Sequence, residues 1–303
     1  MFDYISASEF LKSCQVTQDS SIKGTVCPWE LNKGLEARED LHDTLQALYL
    51  WSRPENIGKS WDNIALSTDY VKARINQLIH EKEPLKSYDS TFCILALHNL
   101  LNSTEDSELE RIERYAEEYL VRYFHNKPKH NAREYSNPYW KASILYLVLK
   151  HKDIDTASLK EWLMEDTNLD KPENEPLHLG RGYQYHHDFF SEFGTKLMAR
   201  NIILDGEGDE ISERNLPDGY VMREYDETPF NSSITFGLST LTNHFADNNS
   251  TKKTAISESI FNELENQVFQ GGIKRGKYFS IRESWPTFFL YFAEILRERK
   301  SVF

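Results

Sequence analysis

Histidines beside carboxylates recur in this sequence at the starts of apolar segments. Such pairs can move protons near neutral pH, because neighbouring charges readily shift an imidazole's affinity for a proton. His42 and Asp43 open one segment, Tyr88 and Asp89 the next, and His186, His187 and Asp188 another. The last group lies in GRGYQYHHDFFSEFG, the most unusual stretch of the chain, where two histidines, an acid and several aromatics, Tyr185 among them, stand between glycines. Adjacent histidines on a regular element point to different faces, so both rings need partners, and Asp188 can orient either. Asn137, Tyr139 and Trp140 precede a further segment, Asn231 another, and Arg282, Glu283 and Trp285 the final one. Each Asp or Asn also has an ordinary reading as a helix cap, satisfying first-turn amides. A cap needs one short polar residue. The flanking His, Tyr or Trp at several of these starts goes beyond capping and suits the lining of a pocket.

Metal ligation is the weaker chemistry here. His186, His187, Asp188 and Glu192 lack the HExxH order that places two histidines on one helix face. His42 and Asp43 can complete such a site only if the fold brings them there. No cofactor is expected, and a divalent metal is left open. LDGEGDEISERNLPDG lacks the alternating ligands of a calcium loop and reads as a solvated acidic loop. GGIKRG reads first as a turn, second as a rim of amides for a diphosphate or carboxylate. Cys14, Cys27 and Cys93, odd in number and without CxxC spacing, read as reduced thiols.

The elements that carry these residues repeat. HDTLQALYLW, DSTFCILALHNLL, KASILYLVLK, FGTKLMARNII, SITFGLSTL and WPTFFLYFAEIL each set a Ser or Thr before apolar positions three and four residues on. The anchors are Thr44, Thr91, Ser143, Thr195, Thr235 and Thr287, spaced 47, 52, 52, 40 and 52 residues apart. These segments are apolar on nearly every face, which a helix tolerates only when covered on both sides, so they are expected to be inner helices. DYVKARINQLIHEK, SELERIERYAEEYLVRYF, TASLKEWLMED and TAISESIFNELENQVF are amphipathic and are expected to be outer helices. A period near fifty residues with one buried and one half-exposed helix is a helical hairpin repeat. An open stack needs polar ends, yet the last segment is among the most apolar, so the hairpins are expected to close into a ring. The expected fold is an all-α (α/α)6 toroid with an irregular fourth hairpin. It forms one domain over residues 1–303, with residues 1–30 an N-terminal extension packed on the ring.

Composition sets the outer limits. At 39% hydrophobic and 27% charged, the 303 residues can bury a large core. A net charge of −13, spread along the chain, disfavours nucleic acid as a partner. Lys274, Arg275 and Lys277 are too few to alter that. The first residues show neither a signal peptide nor a transmembrane run, so a cytoplasmic location is expected.

In spacing, and in phrases such as SYDSTFCILALHNLL and PDGYVMREYDETPFNSSITFGLSTL, the chain resembles the α/α toroids of terpenoid cyclases and protein prenyltransferases, and more distantly the six-hairpin glycosidases and polysaccharide lyases. The first resemblance implies a lyase or isomerase acting on an isoprenoid-type substrate. Asp43 would be its proton donor, held by His42, with Asp89 the second acid and Tyr88, Tyr139, Trp140 and Trp285 lining the cavity. The second implies a glycan-processing hydrolase or lyase with paired carboxylates such as Asp43 and Asp89, or Asp188 and Asp89, on an oligosaccharide. A non-catalytic helical scaffold is the third reading.

Overall fold

The computed structural model describes residues 3–83, 85–126, 138–165, 199, 202–204, 268–274, 281–297 and 302–303. Along them run α1 (Tyr4–Lys12), α2 (Leu41–Ser52), α3 (Ile57–Glu81), α4 (Ser87–Leu101), α5 (Ser107–His125), α6 (Pro138–His151), α7 (Ala157–Met164) and α8 (Ser284–Arg297). Three short strands, β1 (Val268–Phe269), β2 (Gly272–Lys274) and β3 (Arg282–Glu283), form an antiparallel sheet in that order. Contacts divide the chain into two compact units. The first takes Met1–Tyr123, Gln267–Phe292 and Ser301–Phe303, and the second Phe124–Asn266 and Ala293–Lys300. Among the described residues no helix is long and apolar enough to cross a membrane.

Helices alternate in burial as the sequence pattern requires. In α2 every residue from Asp43 to Ser52 is buried, and in α4 burial is continuous from Ser90 to Leu100. In α3 the buried positions are Ser60, Ile64, Ser67, Tyr70, Val71, Ile75 and Leu78, the three-and-four spacing of a single stripe. In α5 Leu109, Ile112, Ala116, Leu120 and Phe124 repeat that spacing. Within the first unit α2 packs on both α3 and α4, and α1 lies against α2 and β2.

The Ser/Thr anchors have a physical reason. Thr44, Thr91, Ser143 and Thr287 are fully buried, while Thr195 and Thr235 lie outside the described residues. A hydroxyl in an apolar helix must find an acceptor, and the nearest is the carbonyl one turn back. Thr44 donates to the Asp40 carbonyl, Ser143 to that of Tyr139 (2.8 Å) and Thr287 to that of Glu283 (2.8 Å). The anchor is therefore the one polar type that such a helix can bury without an outside partner.

One expected outer helix ends differently. The segment TAISESIFNELENQVF finishes in strand β1, because Gln270 (φ 46°) and Gly271 (φ 80°) turn the chain back into β2. Gly271 is required there. A Cβ on it would stand 1.9 Å from the Ser6 carbonyl oxygen in α1. The first glycines of GGIKRG thus serve a close backbone approach, as the turn reading implied.

Candidate functional site

The site begins at the cap of α2. Asp40, in extended backbone, ends the preceding loop, and its Oδ1 accepts from the Asp43 amide at 3.2 Å. The same oxygen lies 3.0 Å from His42 Nδ1, so one carboxylate fixes both the helix start and the imidazole. His42 stacks on Phe92 of α4 at 5.9 Å between centroids and leaves 32% of its side chain exposed. Its Nε2 faces Asp43 Oδ1 at 3.9 Å. Asp43 itself is 1% exposed, and that Oδ1 has no hydrogen-bond partner among the described residues.

Three carboxylates act on the one ring. Burial works against the charged form of His42, but Asp43, Asp40 and Asp89 outweigh it and push the imidazole up to about 9. Burial also dominates Asp43, which rises to about 7 despite the attraction of His42, with Asp40 and Glu283 adding to the rise. Asp40 is likewise penalised by burial, yet its bond to His42 leaves it below the usual carboxylate range. Asp89, in the first turn of α4, is raised by burial and partly relieved by His42 and Lys86.

The start of α8 closes this group from a third side. Arg282 on β3 pairs with the fully buried Glu30 and sits over the Phe10 ring at 4.7 Å, while the Ser284 amide donates to the Pro28 carbonyl at 3.0 Å. So held, the Ser284 hydroxyl comes near enough to favour ionised Asp43, though Oγ itself meets no partner in hydrogen-bond geometry. Gln46, one turn beyond Asp43, is also buried, and neither of its amide atoms has a partner among the described residues. Beside the acids runs a path of rings. Phe92 touches Phe288 (5.3 Å) and Phe289 (6.2 Å), and Phe289 touches Trp285 (6.2 Å). Trp285 and Phe289 are partly exposed.

His42, Asp43, Asp89, Glu283 and Trp285 thus belong to the first unit, with the backbone of Tyr88 at the start of α4 beside them. Tyr139 and Trp140 are buried in the second unit, where Tyr139 packs on Trp162 at 5.7 Å between centroids. Asn137, Tyr185, His186, His187, Asp188 and Asn231 lie outside the described residues. Reading the sequence alone missed Asp40, Gln46, Ser284, Phe92 and Phe289. Asp40 had a signal, since an Asp three residues before another acid at a helix start is a capping pattern.

No protein-family model matches the chain, and no curated protein matches it. A solved structure does. It is an inactive variant of α-1,6-mannanase GH76A of Salegentibacter sp. HEL1_6, two adjacent aspartates replaced by asparagine, in complex with α-1,6-mannotriose. It superposes with a TM-score of 0.60 over 97% of this chain and 99% of that one, at 13% identity. The chain has the all-α (α/α)6 toroid fold. This overturns the expectation of a cyclase-like lyase or isomerase, since the protein sharing the fold is a glycoside hydrolase. The prenyltransferase likeness gains no support either. The sequence contains no Asp-Asp pair.

Proposed function

We propose that this chain is a glycan-processing hydrolase that takes an oligosaccharide at the start of α2 and α4. One observation carries the reading. On a fold that a mannanase also uses, three carboxylates converge on one imidazole beside partly exposed aromatic rings. Breaking a glycosidic bond calls for a carboxyl that protonates the leaving oxygen and a second carboxylate that takes the proton released as water adds to the anomeric carbon. Asp89 suits the first task, being partly exposed and held protonated to higher pH by burial. Asp43 lies too deep to reach a sugar, so it and Asp40 act as positioning residues that set the His42 ring. His42 offers its exposed edge to sugar hydroxyls, and Trp285 and Phe289 offer faces on which a pyranose can lie.

The test is to incubate the protein with α-1,6-mannotriose and a panel of other oligosaccharides and follow new reducing ends. Release is expected from at least one glycan, falling about 100-fold or more in Asp89→Asn. No release from any glycan, or full activity in Asp89→Asn, would overturn the reading.

A further inference from the structure

Burying carboxylates is costly unless opposite charge or hydrogen bonds satisfy them. Asp40 has Arg38 as well as His42 in reach of its charge, and Asp89 has Lys86 and Arg74. Asp43 is served less well. Among the described residues, the groups that act most on it besides His42 and Ser284 are two more carboxylates, Asp40 and Glu283. Its Oδ1 and the buried Ser284 Oγ beside it both lack a hydrogen-bond partner among the described residues. The positive end of the α2 dipole, about half a charge, offsets only part of this.

The geometry points to a divalent cation held by Asp40, His42 and Asp43 at the start of α2. Each of the three offers one ligand atom, and these atoms lie within 4.8 Å of one another. The 3.9 Å between His42 Nε2 and Asp43 Oδ1 exceeds by about half an ångström the span of two bonds of about 2 Å at a tetrahedral angle, so the two side chains need close only slightly on one ion. An imidazole with two carboxylates suits Mn²⁺ or Zn²⁺ better than Ca²⁺, which prefers an all-oxygen shell. Ser284 Oγ, unpartnered and next to Asp43, is placed to accept or complete that shell. The site does not depend on the glycan reading.

The experiment strips the full-length protein of metal and titrates it with Mn²⁺, following the paramagnetic resonance signal of the free ion. Loss of signal at one ion per chain is expected, reversed by Zn²⁺. Binding should weaken about tenfold or more in Asp43→Asn and remain intact in Asp106→Asn, a change remote from the site. If Asp43→Asn loses its helical circular dichroism, His42→Gln takes its place in the comparison. Wild type that binds no more Mn²⁺ than the site variant, Asp43→Asn or His42→Gln in its place, overturns the assignment. No glycan is present, so a protein that binds the ion yet cleaves no sugar would sink only the hydrolase reading.

Discussion

Replacing Arg282 by Met tests how the start of α8 is held against Asp43. The change leaves Glu30, fully buried, without its charge partner, and the other Glu30 oxygen, Oε1, has no hydrogen bond to fall back on. Removing one member of a buried pair costs about 3–5 kcal/mol. Arg282 also lies over the Phe10 ring at 4.7 Å and donates to the Gln270 carbonyl at 2.9 Å, contacts that Met replaces only in part. We expect a loss of about 4 kcal/mol, which for a chain of this size lowers Tm by about 6 °C. Thermal melting followed by circular dichroism reads this. The double change Glu30→Gln with Arg282→Met removes the orphaned charge and should recover most of the loss. A single variant within about 2 °C of wild type, or a double variant no better than the single, refutes the claim that this pair braces β3.

Other outcomes follow from separate contacts. Gly271→Ala should destabilise by about 2 kcal/mol or more, since φ is positive and the new Cβ meets the Ser6 carbonyl; denaturant midpoints check it. Asp106 caps α5 by accepting from the Glu108 and Leu109 amides and pairs with Lys72, so Asp106→Ala should cost about 1 kcal/mol at neutral pH. Burial opposes ionised Asp106, but the bond from Lys72 and those caps hold its folded pKa below 3.8. Its contribution is therefore full above the unfolded value and disappears as pH falls through the folded one, so wild type and Asp106→Ala should converge in stability as pH drops below 3.8 and through that lowered value. Trp285→Ala should raise KM several-fold with little change in kcat, as expected of a ring that holds sugar without touching the reacting bond; steady-state kinetics decide it.

Much of the helical frame was legible because burial leaves a mark at every position. A segment such as DSTFCILALHNLL has no polar face to give to water, and SELERIERYAEEYLVRYF has one, so the inner and outer roles of α4 and α5 follow from pattern. The Ser/Thr anchors were readable for the same reason, since a buried hydroxyl bonds its own helix. His42, Asp43 and Asp89 were found as acids and a histidine at helix starts. What stayed hidden depends on long-range pairing. Nothing near Ser284 in sequence announces that Pro28 will hold its amide, or that Glu30 will meet Arg282 across about 250 residues. Sequence pattern also led toward cyclase chemistry, because a ring of helical hairpins is shared by enzymes of unlike reactions and the pattern encodes the ring.

Sugar binding along the path from His42 and Asp89 to Trp285 is the central claim. A crystal structure of the Asp89→Asn protein soaked with α-1,6-mannotriose measures this. A sugar ring lying on Trp285, with hydroxyls bonded to His42 and a glycosidic oxygen facing residue 89, is the predicted result. Mannotriose seated elsewhere on the chain, clear of all three residues, would contradict it.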